Sequence, residues 1–224
     1  MRKQVTIVND PTLSHYVNEI GRRLASSREA QESGFSFSFE VVADSSINAC
    51  ALPGGPMFIN TGNEAQLAGV MGHEMSHVIL RHSTNQASKV QLIQLPAVLG
   101  SEMAASSMMG RLTQLGIRLG TNSVLLKSSR TAETQADLMG SHLMAESGFD
   151  PVQMAKSFEK LNTGQHAPQF MSDHTNQGNR ERAIREEAAK LPERTYGFQT
   201  GDFHKMKKVL GTIKEPKPKP QAAQ

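Results

Sequence analysis

The chain has 224 residues, 38% of them hydrophobic, so it can bury a real core and is most economically one domain with or without a tail. Much of the Lys excess behind its net charge of +3 sits at Lys205, Lys207, Lys208, Lys214, Lys217 and Lys219 without interleaved aromatics, a pattern that argues against a nucleic-acid partner. The single cysteine, Cys50, excludes an intrachain disulfide and a zinc site built from Cys pairs, and no run of about 18 apolar residues exists to form a transmembrane segment.

The start, Met1-Arg2-Lys3-Gln4-Val5-Thr6, lacks the apolar stretch of a secretion signal. Leu13, Tyr16, Val17, Ile20 and Leu24 keep the helical period behind the start signal Asn9-Asp10-Pro11, which predicts a scaffold helix over 13–24. Residues 35–42 alternate with period two after Gly34 and predict a half-buried strand. Residues 49–52 and 57–61 predict two more strands, joined by the turn Pro53-Gly54-Gly55-Pro56. Within the last of these, Met57, Phe58, Ile59 and Asn60 can offer an edge to an extended peptide, although four residues fit an ordinary buried strand equally well.

The next segment carries His73-Glu74-Met75-Ser76-His77, an HExxH pattern. Leu67, Val70, Met71, Met75, Val78 and Ile79 recur at spacings of three and four, Asn63 with Gln66 resembles a capping box, and Arg81 and His82 put basic groups at the far end. A helix is therefore expected here. At about 3.6 residues per turn, two histidines four apart share a face and can grip one ion, while Glu74 points about 100° away from His73, as suits a base on the attacking water. His82 can either cap this helix or support the site.

Residues 83–120 are rich in Met, Ala, Leu and Gly, with a pliable helix expected over 101–110 whose methionines are core or line a greasy groove. A long helix is predicted from about 131 to 147, ended by Gly148, with Asp150-Pro151 opening another to about 161. A catalytic zinc site needs a third protein ligand. The extended pattern HExxHxxGxxH fails, because Leu80 and Ser83 stand where Gly and His are required and His82 is one place short. Glu133 and Asp137, four apart on one helical face, offer a carboxylate ligand and an acceptor for an imidazole N–H; taken alone, the segment also reads as two solvated acids. Of the remaining histidines, His15 and His142 are expected to be structural or exposed, and His166 and His204 lie in polar stretches.

The run Asn48-Ala49-Cys50-Ala51-Leu52-Pro53-Gly54-Gly55, then Asn60-Thr61-Gly62, the HExxH helix with Arg81-His82, Ser129-Arg130-Thr131-Ala132-Glu133-Thr134-Gln135-Ala136-Asp137, and Ser147-Gly148-Phe149-Asp150-Pro151 together resemble the forty-eighth family of metallopeptidases, in particular its soluble branch from bacterial envelopes. The resemblance runs from about residue 5 to 190. It implies an α+β fold, a mostly helical zincin-like (gluzincin) domain over residues 1–210 with a small antiparallel sheet next to the HExxH helix, followed by a disordered Lys/Pro-rich tail over 211–224. One zinc per chain is implied, bound by His73, His77 and Glu133, with Glu74 as general base and acid and Asp137 behind a histidine ligand. A further histidine and a downstream arginine near the site match His174 with Arg180 or Arg182; Thr175 stands where the family has Pro, and the link between Thr61-Gly62 and Asn63-Glu64 is shorter than in the family.

The implied activity is endopeptidase cleavage of misfolded or misassembled envelope proteins, in the periplasm or at the envelope. Protein or peptide substrates are expected, with envelope protein-assembly machinery as a further partner. The chain is then expected to be the mature part of an exported protein. The competing expectation is a chaperone-like periplasmic binding protein for outer-membrane protein assembly, with latent proteolysis. An intact Glu74 favours the enzyme, since binding alone needs no base.

Overall fold

The computed structural model describes residues 6–43, 63–82, 84–85, 130–163, 179–210 and 212. In chain order these form β1 (Thr6–Ile7), α1 (Pro11–Ala25), α2 (Arg28–Glu32), β2 (Val42–Ala43), α3 (Glu64–Ile79), α4 (Arg130–Glu146), α5 (Val152–Thr163), α6 (Arg180–Ala188) and α7 (Phe203–Leu210).

Helix α1 begins where the sequence signals it: Asp10 accepts a hydrogen bond from the Leu13 N–H at 3.0 Å, and Pro11 fills the first turn, where its missing N–H costs nothing. Its buried stripe is Leu13, Tyr16, Val17, Ile20 and Leu24. Asn63 opens α3 in the same way, accepting from the Gln66 N–H at 2.8 Å. Helix α4 closes on Gly148, whose φ of +79° lets the Phe149 N–H turn back onto the Met144 carbonyl at 2.9 Å. That turn drives Phe149 into the core. Asp150 then accepts from the Val152 N–H at 2.9 Å to start α5.

Helix α3 is the axle of the fold, buried along nearly its whole length between α4 and α5, with α1 also against it. Glycines permit that density. A Cβ on Gly69 would come within 2.8 Å of the Met154 Cα on α5, and one on Gly140 within 3.1 Å of the His73 backbone nitrogen, so α3 and α4 meet main chain to main chain. Around this contact Leu67, Met71, Met75, Leu143, Met144, Met154 and Phe158 form the core, each fully buried side chain contributing about 1.5–3 kcal/mol. Helix α6 closes the bundle over α4 and α5, and α7 packs on α1 through Phe203 and Met206.

The expected α+β fold, with a small antiparallel sheet next to the HExxH helix, is corrected: the described residues form a helical fold. Their strand pairing is confined to a two-residue antiparallel ladder, Thr6 opposite Ala43 and Ile7 opposite Val42. Residues 35–41 do alternate inward and outward, with Phe39 buried and Phe37 half-buried, yet they carry no strand assignment. The reason is that alternation reports which side of an extended chain faces a core, not whether another strand lies beside it. Here the core is α1, whose Gly21 receives the Phe39 ring and whose Asn18 side chain donates to the Phe39 carbonyl at 3.0 Å. The strands expected at 49–52 and 57–61 and the helix expected at 101–110 lie outside the described residues.

Candidate metal centre

His73 and His77 lie on adjacent turns of α3, and their Nε2 atoms are 3.1 Å apart. Glu133 enters from the first turn of α4, placing Oε2 3.5 Å from His73 Nε2 and Oε1 3.5 Å from His77 Nε2. One ligand atom from each residue lies within 4.8 Å of the other two, and this is the group of three able to hold a metal among the described residues. The environment is dry: His73 and Glu133 are 0% exposed, Glu74 4% and His77 9%. Close approach of α3 and α4 at Gly72 and Gly140 is what brings a carboxylate from one helix to two imidazoles on the other.

Each imidazole is held from behind. Asp137, one turn along α4 from Glu133, accepts from His73 Nδ1 at 2.9 Å. Arg180, at the start of α6, grips the same carboxylate in a fork, Nε donating to Oδ2 at 2.8 Å and Nη2 to Oδ1 at 2.7 Å. Burial opposes ionisation of Asp137, but the hydrogen bonds from Arg180 and His73 outweigh it and hold the carboxyl below the usual range. Burial likewise opposes the charge on Arg180, and Asp137 with Glu133 and Glu74 more than restores it. The guanidinium lies over the Phe158 ring at 4.1 Å, and the same ring takes the edge of His73 with centroids 5.3 Å apart. His77 is backed differently: its Nδ1 is 2.9 Å from His82 Nδ1, and His82 Nε2 is 3.1 Å from Gln135 Oε1. Burial lowers the His82 pKa and favours the neutral ring.

Of the residues singled out in the sequence, the structure brings together His73, Glu74, His77, Glu133, Asp137 and Arg180. Arg182 is elsewhere, its side chain 71% exposed and paired with Glu186 at 3.4 Å. His174 and the segment Met57, Phe58, Ile59, Asn60 lie outside the described residues. Phe158 and Gln135 were not anticipated; Gln135 sits between Glu133 and Asp137 in sequence, and only the fold shows which histidine it faces. A cavity of about 570 Å³ lies at the other end of α3, lined by Glu64, Phe149, Tyr196, Phe198, Phe203 and His204, away from His73 and His77.

Residues 11–188 match the family described as Peptidase family M48. The chain belongs to peptidase family M48. Over 173 residues it is 34% identical to the Beta-barrel assembly-enhancing protease of Escherichia coli (strain K12), covering 72% of this chain and 35% of that protein. It is 29% identical over 211 residues to the Mitochondrial metalloendopeptidase OMA1 of Schizosaccharomyces pombe, covering 89% of this chain and 60% of that one. A third relative, Metalloendopeptidase OMA1, mitochondrial, of Bos taurus, is 32% identical over 158 residues, 62% of this chain and 30% of that protein. The chain spans about a third of the length of the bacterial relatives it matches. The family is one of metallopeptidases and implies a metal cofactor, and His73, His77 and Glu133 form a group that could hold such an ion. No helix among the described residues is long and apolar enough to cross a membrane.

Proposed function

We propose that this M48 chain is a zinc-dependent endopeptidase domain in which His73, His77 and Glu133 hold the ion and Glu74 moves the proton. The observation that carries the reading is the compact tripod of donor atoms. Separations of 3.1 and 3.5 Å are close to the edge of about 3.3 Å expected between ligands in a tetrahedral zinc shell, and two imidazoles with one carboxylate leave a position open, as catalytic sites do. When bound, zinc supplies a water of lowered pKa and polarises the scissile carbonyl.

The chain's own groups do the rest. Glu74, next to His73 on α3 and buried, takes the proton from the attacking water and hands it to the leaving amine. Asp137 fixes His73 with its proton on Nδ1, so that Nε2 presents its lone pair to the ion. Arg180 keeps Asp137 ionised and, 3.6 Å from Glu133, lends positive charge to the site. On the family resemblance, His174 supports the oxyanion or closes the open ligand position, and Met57, Phe58, Ile59 and Asn60 bind the substrate backbone. The reading treats residues 1–210 as one catalytic domain. Substrates are proposed to be envelope proteins in or failing assembly, encountered in the periplasm, which the name of the Escherichia coli relative supports.

Elemental analysis and cleavage of casein, with wild type beside Glu74→Gln and Glu133→Ala, test the reading. One zinc per chain and measurable cleavage are expected in wild type. Glu74→Gln should keep the ion and lose about 10²–10⁴-fold in turnover. Glu133→Ala should lose both. Absence of stoichiometric metal under zinc-replete conditions would overturn the proposal, and undiminished cleavage by Glu74→Gln would remove the base from it.

A further inference from the structure

His77 is backed by another imidazole, where His73 has a carboxylate behind it. A ring facing a ring raises a question of proton placement that a carboxylate does not, because each imidazole nitrogen is a donor or an acceptor according to tautomer. Three contacts in series answer it. Gln135 presents its amide oxygen, an acceptor only, 3.1 Å from His82 Nε2. With the Gln135 amide in this orientation that nitrogen carries the proton, which leaves His82 Nδ1 as an acceptor. His82 Nδ1 is 2.9 Å from His77 Nδ1, which must then be the donor, and His77 Nε2 is left as the lone pair facing His73 and Glu133. We propose that His82, oriented by Gln135, is a positioning residue that selects the Nε2-ligating tautomer of His77.

The backbone supports this from independent ground. Arg81, with φ of +56°, is the one non-glycine in the left-handed region among the described residues. That conformation is unfavourable for an L-residue. A left-handed residue is a common way to end a helix, and Arg81 takes it with its N–H bonded back to the Val78 carbonyl at 3.0 Å; glycine usually fills that position without strain, so the arginine is the unusual part. What the turn achieves is to bend the chain back so that His82, five residues after His77, stands beside it with ring centroids 4.9 Å apart. Arg81 is itself held in place, its guanidinium over the Phe35 ring at 5.0 Å. Backbone strain spent next to a metal ligand fits a residue that serves the ligand. The two ligand imidazoles are thus set by different means: a charged acceptor fixes His73, and a neutral relay ending on α4 fixes His77.

This inference rests on the zinc reading above, and its test separates the two. Packing and proton acceptance are distinguished by His82→Leu, which fills the space without an acceptor, and His82→Asn, whose Oδ1 falls near the position of Nδ1. Zinc dissociation constants by competition with a chromophoric chelator should rise about 10–100-fold in His82→Leu and stay within about threefold of wild type in His82→Asn. Long-range ¹H–¹⁵N correlation spectra of the zinc-loaded wild type should show His82 with its proton on Nε2 and His77 with its proton on Nδ1. Gln135→Leu should leave the fold intact and admit the other His82 tautomer. If both His82 variants bind zinc as wild type does, or both lose it equally, or the wild-type spectrum places the His82 proton on Nδ1, the proposal is overturned while the zinc site stands. If wild type takes up no zinc, the reading beneath it fails as well. The wild-type spectrum is decisive even should His82→Leu fail to fold.

Discussion

The two ends of α3 each bury a carboxylate in a polar cluster, and only one of them gathers side chains that could hold an ion. At the N-terminal end Glu64 is 5% exposed, and donors surround it: the Tyr16 hydroxyl at 3.0 Å, the Thr200 hydroxyl at 2.6 Å and the Thr200 N–H at 2.8 Å. Every contact there runs from a proton to an oxygen, so the cluster is finished. Burial and Glu64 together push the Tyr16 phenol well above the ordinary tyrosine range, keeping it a donor. At the other end Glu133 faces His73 Nε2 and His77 Nε2, each at 3.5 Å, and with the tautomers proposed above their lone pairs converge. Burial of polar groups is common to both; the direction in which their hydrogens point is what separates a tie from a binding site.

Arg180→Leu should have the largest effect. It leaves Asp137 buried without its cation, a loss of about 3–5 kcal/mol, and it removes the anchor behind His73. Chemical denaturation of the metal-free protein should show the first effect and weakened zinc binding the second. Glu64→Gln comes next: its amide nitrogen cannot accept from Thr200 or Tyr16, and stability should fall by about 1–3 kcal/mol. Zinc affinity should not change. Were zinc affinity to fall as far as in Arg180→Leu, the two ends of α3 would be coupled and not independent.

The smallest expected effect is one of pH. On the outer surface of the bundle, His142 of α4 is 2.8 Å from Glu187 of α6, and Lys190 is 2.9 Å from the same carboxylate. The hydrogen bonds from His142 and then Lys190 lower the Glu187 pKa. A carboxyl lowered in the folded state stabilises the fold above its unfolded value of about 4.5, and that contribution disappears as the pH falls through the folded value. Lys190 is 70% exposed and screening is strong, so the contribution is about 0.5 kcal/mol at most. The difference between thermal melts of wild type and Glu187→Gln should be slight at pH 6 and shrink as the pH falls below the ordinary carboxylate range. A difference that does not shrink would mean that Glu187 acts through packing.

What the sequence revealed follows the range of the forces involved. Helices α1, α3, α4 and α5 were legible because caps and apolar spacing act within a few residues, and His73, Glu74 and His77 needed nothing beyond one helical turn. Glu133 and Asp137 were readable as a pair with the correct spacing. Choosing between Arg180 and Arg182 was not possible: α6 is highly polar, and its inward face shows only as Arg180 and Ile184 one turn apart. Glu64 escaped notice because its partner Thr200 is 136 residues away. His82 stayed ambiguous between cap and support for the same reason, since Gln135, 53 residues on, decides it. Residues 35–40 misled because a helix, not a strand, supplies the surface they lie on, and pairing with β1 begins only at Val41.

At the crossing of α3 and α4 the spacer between the two helices is no side chain at all: a Cβ on Gly72 would touch the Gly140 carbonyl at 3.3 Å. Two rods welded at such a joint have no cushion to compress and no rotamer to swap, so the span between Glu133 and the two histidines is a property of the main chain. Repacking elsewhere in the interior can soften the molecule as a whole while leaving this caliper at the same setting. Any opening that admits a polypeptide therefore happens by moving something other than this pair of helices.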